Sequence, residues 1–192
     1  AGNLLGPEQS GYMMSVGYDM YLKLLNDAVL EQQGKRAEIM PECAADLTVS
    51  AYIPERYVPS AEQRMDLYRR IAAIRTDGDA AELMDEMLDR FGDVPAAVKA
   101  LLDVALLRAA AAGAGICDIT QRGRQVVFSF GPQPDIAAVA AVCGMACYRQ
   151  RLQLSAAAQP KLTLYLQPDE EALSAAGKLV EELAVRHTEE KT

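Results

Sequence analysis

Apolar side chains recur at helical spacing over residues 13–32, where Val16, Tyr18, Met20, Tyr21, Leu24, Leu25 and Ala28 share a stripe and Gly34 follows as a stop. The stretch 34–46, GKRAEIMPECAAD, mixes Gly, Pro and charges and reads as a linker. Leu47–Ile53 is rich in β-formers and predicts a strand, closed by Pro54, which cannot donate to a ladder. Three helices follow in the pattern. The first starts from Ser60 as N-cap and runs to about Arg75, burying Met65, Leu67, Tyr68, Ile71 and Ile74. The second covers Asp79–Phe91 with Leu83, Met84, Met87, Leu88 and Phe91 on one face and Gly92 at its end. The third runs from Pro95 to about Ala112 behind a stripe of Val98, Leu101, Leu102, Ala105 and Ala109, with Gly113 and Gly115 stopping it.

Past Gly115 the period changes. Ile116–Thr120 and Gln125–Phe130 read as strands of a hairpin turning at Arg122-Gly123, and Asp135–Gly144 as a short helix. Arg151–Ala157 and Lys161–Gln167 read as a second strand pair turning near Gln159-Pro160, and Glu170–Arg186 as a terminal helix with a charged tail. Helices in the N-terminal and central part with antiparallel strands around them define an α+β class rather than a wound parallel sheet.

Composition narrows the picture. A chain of 192 residues is one domain, or one domain and an appendage, and buries about 70% of its unfolded surface. It needs neither disulfide nor metal to hold a core. There is no apolar run long enough to cross a bilayer and no secretory n-region with a cleavage site. Four irregularly spaced Cys fit reduced thiols, so a cytoplasmic location without membrane contact is expected. The net charge of −8 opposes non-specific DNA binding, which neutralises phosphates with Lys and Arg.

Candidate chemistry is sparse. His187 is the one histidine and stands near the end of the chain, so Ser-His-Asp and Cys-His mechanisms have no core. Cys143 and Cys147 are spaced i, i+4, but no C-x-x-C pair accompanies them, and small buried thiols are the ordinary reading. Asp89-Arg90-Phe91-Gly92 has none of the kinase motifs around it, and no G-x-x-x-x-G-K-[ST] run is present, so no ATP site is expected. The charged faces say more. Between Asp77 and Asp93 seven acids (Asp77, Asp79, Glu82, Asp85, Glu86, Asp89, Asp93) stand against one base, Arg90. Glu82, Glu86 and Asp89 fall at i, i+4 and i+7, one side of the second central helix. Such a stripe is either a solvated helix face or a docking face for a basic partner. Arg64, Arg69, Arg70 and Arg75 on the preceding helix form the nearest thing to a basic patch, free for DNA or paired with the acidic helix.

Three stretches carry a family resemblance: AGNLLGPEQSG with VGYDMYLKLLNDAV, then AYIPERYVPSAEQRMDLYRRIA, then EMLDRFGDVP. They resemble the C-terminal region of the bacterial transcription-repair-coupling factors over about the first 120 residues. Tyr52-Ile53-Pro54, Arg64, Tyr68-Arg69-Arg70-Ile71-Ala72 and Asp89-Arg90-Phe91-Gly92 arrive in the family's order. The opening, without an initiator Met, resembles the tail of a translocation motif shared with the RecG helicase, matched at Gly6, Gln9, Ser10 and Gly11. The resemblance implies a C-terminal piece of an ATP-dependent DNA translocase of helicase superfamily 2. Such a parent uses ATP and Mg, displaces stalled RNA polymerase and recruits nucleotide excision repair through UvrA. It implies residues 1–45 as motif tail, helix and linker, and residues 46–192 as a regulatory α+β domain. That domain is non-catalytic, holds no cofactor or metal, docks on the parent's UvrB-like N-terminal module and masks the UvrA-binding surface. Glu82, Glu86 and Asp89 are the candidate docking face. The alternatives are a DNA-binding accessory module of the motor, carried by the Arg-bearing helix, and an enzyme built on the Cys residues.

Overall fold

The computed structural model of the chain describes residues 43–155 and 158–189, with side chains to residue 186. The expected helix over 13–32 and the motif residues Gly6, Gln9, Ser10 and Gly11 lie outside the described residues. Two compact units divide the rest. Thr48–Leu106 belongs to one, and the other takes the residues up to Leu47 together with Leu107–Thr192. In sequence, therefore, the first unit interrupts the second.

The first unit holds helices α1 (Ala61–Ala72), α2 (Asp77–Phe91) and the first turns of α3 (Ala96–Gly113). Ser60 caps α1, its side chain accepting from Gln63 N–H, as the sequence predicts. Leu67 and Ile71 of α1, Leu83 and Met87 of α2, and Val98, Leu101 and Leu102 of α3 are buried. The segment before α1 departs from expectation. Leu47, Ala51, Ile53 and Val58 are buried, yet 47–53 is no strand. Its amides find other partners: Tyr52 N–H donates to Ala97 C=O at 3.2 Å, and Ile53 N–H to the Tyr68 hydroxyl at 2.9 Å. The β-forming residues were a sound sign of burial, but a helix start and a phenol stand where a strand would have to be.

The second unit is a five-stranded sheet with strands β1 (Ala44–Asp46), β2 (Ile116–Arg122), β3 (Gln125–Phe130), β4 (Leu152–Ser155) and β5 (Lys161–Tyr165), in the order β1-β2-β3-β5-β4. It also holds α4 (Ile136–Cys143), a single 3-10 turn (Ala146–Tyr148) and α5 (Ala172–Glu189). β1 falls inside the stretch expected to be a linker. It runs parallel to β2 and the other pairs are antiparallel, so the sheet is mixed. A parallel pair needs a long connection, and the whole helical unit lies between β1 and β2 in sequence. The β2–β3 turn is Gly123-Arg124, one residue later than expected. Gly123 takes φ +58, the positive angle that a two-residue turn of the II′ kind needs at its first position. Register stacks Ile119, Phe128 and Leu162, and beside them Val126 and Leu164, on one face. All five are fully buried, as are Val142 of α4 and Ala176 and Leu179 of α5. The class is α+β, as expected.

A candidate docking surface on the acidic helix

α2 is built to start and stop where it does. Thr76 Oγ1 accepts from Asp79 N–H, while the Asp79 carboxylate accepts from Thr76 N–H at 2.9 Å, a reciprocal capping box. Asp79 also accepts from Arg75 N–H at 2.9 Å. The backbone bonds from Arg75 and Thr76 hold its carboxyl below the usual carboxylate range. At the far end Gly92 takes φ +83 and its N–H donates to Leu88 C=O. The Tyr57 hydroxyl lies 3.1 Å from both Met87 C=O and Gly92 C=O. Its ring meets Phe91 edge-on with centroids 5.8 Å apart, and the Arg90 guanidinium stands 4.9 Å over Phe91. Burial, and then the Asp93 carboxylate, raise the Tyr57 pKa, so the phenol stays a donor.

The three residues of the expected docking stripe do not behave alike. Both Glu86 oxygens accept from Arg70, at 2.8 and 2.5 Å, and Arg90 donates to the same carboxylate at 2.7 Å. The Arg70 bonds, then the Arg90 bond, pull the Glu86 pKa down from 4.5 to about 2. Glu86 therefore ties α2 to α1, the internal pairing that the sequence leaves open beside docking. Glu82 and Asp89 are exposed and form no ion pair among the described residues. The exposed Asp85 belongs to the same side of the helix. Leu88, expected on the buried face, is 47% exposed. It sits 100° around the helix from the buried Met87, and a stripe that includes both is too wide to bury. The free surface is thus Glu82, Asp85 and Asp89, with Leu88 as an apolar contact at its edge beside Asp85.

The arginines of α1 and its flanks are largely spent within the unit. Arg64 donates to Val58 C=O and Pro59 C=O at 2.7 and 2.9 Å, and Arg75 to Ala72 C=O and Ile74 C=O at 2.9 Å each. With Arg70 on Glu86, Arg69 and Arg75 are the exposed members of the four, and Arg75 is tied to carbonyls of its own helix end. The cysteines show no shared site. Cys43 is buried, Cys117 and Cys143 are half-buried and Cys147 is exposed, all as free thiols. Burial raises the pKa of the Cys143 thiol. Among the described residues no group of three His, Cys, Asp or Glu is placed to hold a metal, and no helix is long and apolar enough to cross a membrane.

Residues 47–140 match the family described as the TRCF domain. The transcription-repair-coupling factor of Staphylococcus haemolyticus is 34% identical over 131 residues, covering 67% of this chain and 11% of the relative. That of Bacillus subtilis is 41% identical over 109 residues, covering 56% of this chain and 9% of the relative. The chain thus spans about a tenth of the length of these curated relatives. Among solved structures, the C-terminal domain of a transcription-repair coupling factor superposes with a TM-score of 0.63 at 20% identity, over 79% of this chain and 98% of that one. That likeness establishes the fold. With matched residues, named relatives and fold in agreement, this chain belongs to the family of transcription-repair-coupling factors and corresponds to their C-terminal domain.

Proposed function

We propose that this chain is a non-catalytic regulatory domain that restrains a DNA translocase by docking on another part of the same protein. The observation that carries the proposal is the free acidic stripe of Glu82, Asp85 and Asp89 on α2 with exposed Leu88 at its edge, a surface suited to a basic partner with a small apolar contact. In this reading the parent is an ATP- and Mg-dependent translocase of helicase superfamily 2 in the cytoplasm. It displaces stalled RNA polymerase and passes the lesion to UvrA and nucleotide excision repair. The domain, residues 46–192, docks on the UvrB-like N-terminal module and masks its UvrA-binding surface, while residues 1–45 carry the tail of the coupling motif. ATP and DNA are handled by the motor, and this chain binds neither ATP nor duplex DNA appreciably.

The test is deletion of residues 46–192 from the full-length protein, with DNA-stimulated ATPase and UvrA capture measured together. Both rise if the domain is a restraint. An unchanged ATPase with unchanged UvrA capture overturns the regulatory reading. ATPase by the isolated chain overturns its non-catalytic part.

A further inference from the structure

The sheet of the second unit has two unlike faces. One carries the buried Ile119, Val126, Phe128, Leu162 and Leu164. The other is more polar; Ser129 on it is buried, but towards the β2–β3 turn Arg122 and Tyr165 are exposed. Cross-strand register lines up Arg122, Gln125 and Tyr165 in one row over β2, β3 and β5. At the end of that row Tyr165 N–H donates to Arg151 C=O at 2.8 Å, just before β4 begins. Strands lie about 4.8 Å apart, so the row spans about 14 Å. The next row is Asp46, Thr120, Val127, Thr163 and Gln153. Tyr165 is 38% exposed, and its hydroxyl bonds Gln153 Oε1 at 2.8 Å. Gln153 pairs with Thr163 rather than Tyr165, so the bond runs diagonally to the next strand and fixes the ring over the sheet.

Cations gather at the same end. The Arg124 guanidinium donates to Leu166 C=O, and Leu166 N–H to Arg124 C=O. Arg151 donates to Tyr165 C=O and pairs with Glu170. Arg122 and Arg149 are exposed, and neither forms an ion pair among the described residues. The acids on this face stand on its β1–β2 side: Asp118, which accepts from the Thr120 hydroxyl, and Asp46, which pairs with Thr120 in register, both half-buried. Beyond β5 follow Asp169, Glu170 and Glu171, of which Glu170 is engaged by Arg151. An aromatic ring tied to Gln153, with uncommitted Arg122 in its cross-strand row and Arg149 two residues before the Arg151 that pairs with Tyr165, has the chemistry of a stacking platform for unpaired bases with cations for their phosphates. Docked protein has less to gain there, because the half-buried Val127 is the one aliphatic residue in the two rows.

We infer that this sheet face binds single-stranded nucleic acid, with Tyr165 stacking on a base and Arg122 and Arg149 contacting phosphates. The inference goes beyond the docking role of α2 and uses a different surface. Duplex is excluded by geometry, since a base must leave its stack to reach Tyr165.

The experiment is fluorescence anisotropy of the chain with a labelled oligothymidylate and with a duplex of equal length, across a salt series. The single strand binds and the duplex binds at least about tenfold more weakly. Tyr165→Ala weakens single-strand binding by about tenfold, the scale of one lost base–aromatic stack. Tyr165→Phe keeps the ring and stays close to the parent chain. Arg122→Ala lowers the slope of log affinity against log salt by about 0.7, the release expected from one single-strand phosphate. Circular dichroism melts show which variants are folded, and if Tyr165→Ala is not, the Arg122 slope decides. Absence of single-strand binding, or binding that survives both Tyr165→Ala and Arg122→Ala in folded protein, overturns the inference. So does binding that is instead lost on Arg69→Ala, which moves the site to α1.

Discussion

The helical unit and the sheet unit handle charge in opposite ways. Residues 48–106 carry eleven Asp and Glu against seven Lys and Arg, whereas the described part of the sheet unit carries nine against eight. In the helical unit most cations are used at home: Arg64 and Arg75 close loop and helix-end carbonyls, and Arg70 and Arg90 share Glu86. The surplus left on the surface is acidic. In the sheet unit Arg122 and Arg149 stay uncommitted and exposed, and Arg122 shares a cross-strand row with the exposed Tyr165. A net charge of −8 averages two surfaces of different chemistry. The residues that carry the family resemblance also divide. Tyr68, Arg64, Arg70 and Arg90 build the helical unit, while Asp89 beside them is left on its surface.

If the sheet unit depends on its apolar face and the helical unit on polar ties, the two should fail under different substitutions. Phe128→Ala, in the fully buried centre of the sheet, should cost about 3–5 kcal/mol and lower the melting temperature more than any substitution named below. Tyr57→Phe removes the hydroxyl from the Met87 and Gly92 carbonyls and should cost about 1 kcal/mol, measured by urea unfolding.

Acid sharpens the contrast. The Glu86 pKa is depressed to about 2, so its pairing with Arg70 and Arg90 stabilises the fold fully above the ordinary value of 4.5. That stability is lost as pH falls from there through 2. Asp79, also depressed, adds a loss of the same sign. Glu86→Gln should therefore flatten the acid side of the stability profile while leaving its neutral shape intact. An unchanged acid slope would mean the solvent already screens the pair. The smallest effect belongs to Leu88→Ser, within about 0.5 kcal/mol of the parent chain because about half of that side chain is already in solvent.

Most elements were legible because their period and their punctuation agree. Ser60, Gly92, Asp135 and Gly144 mark helix ends in the sequence and do so in the structure. Gln125–Phe130 was legible because Val126, Phe128 and Phe130 alternate onto the core face, although Ser129 is buried as well. Residues 47–53 were misread because strand propensity reports burial and not the presence of a neighbour to pair with. β1 is three residues long, and no periodicity can be seen over three. On α2 the i, i+4, i+7 spacing grouped Glu82, Glu86 and Asp89 on one side of the helix. Spacing within a single helix carries no information about Arg70, which lies sixteen residues away from Glu86 and engages it. The exposure of Leu88 could have been anticipated from the helical wheel, where it stands beside Asp85 rather than with Leu83.

The central claim rests on the free carboxylates of α2. Glu82→Lys with Asp89→Lys in the full-length protein, leaving Glu86 to hold α1, should keep the domain folded and raise DNA-stimulated ATPase toward the level of the 46–192 deletion. A contact weakened by about 1.4 kcal/mol shifts the closed-to-open ratio tenfold. If the deletion activates and this double reversal leaves ATPase at the level of the unaltered protein, the acidic face of α2 is not the docking surface.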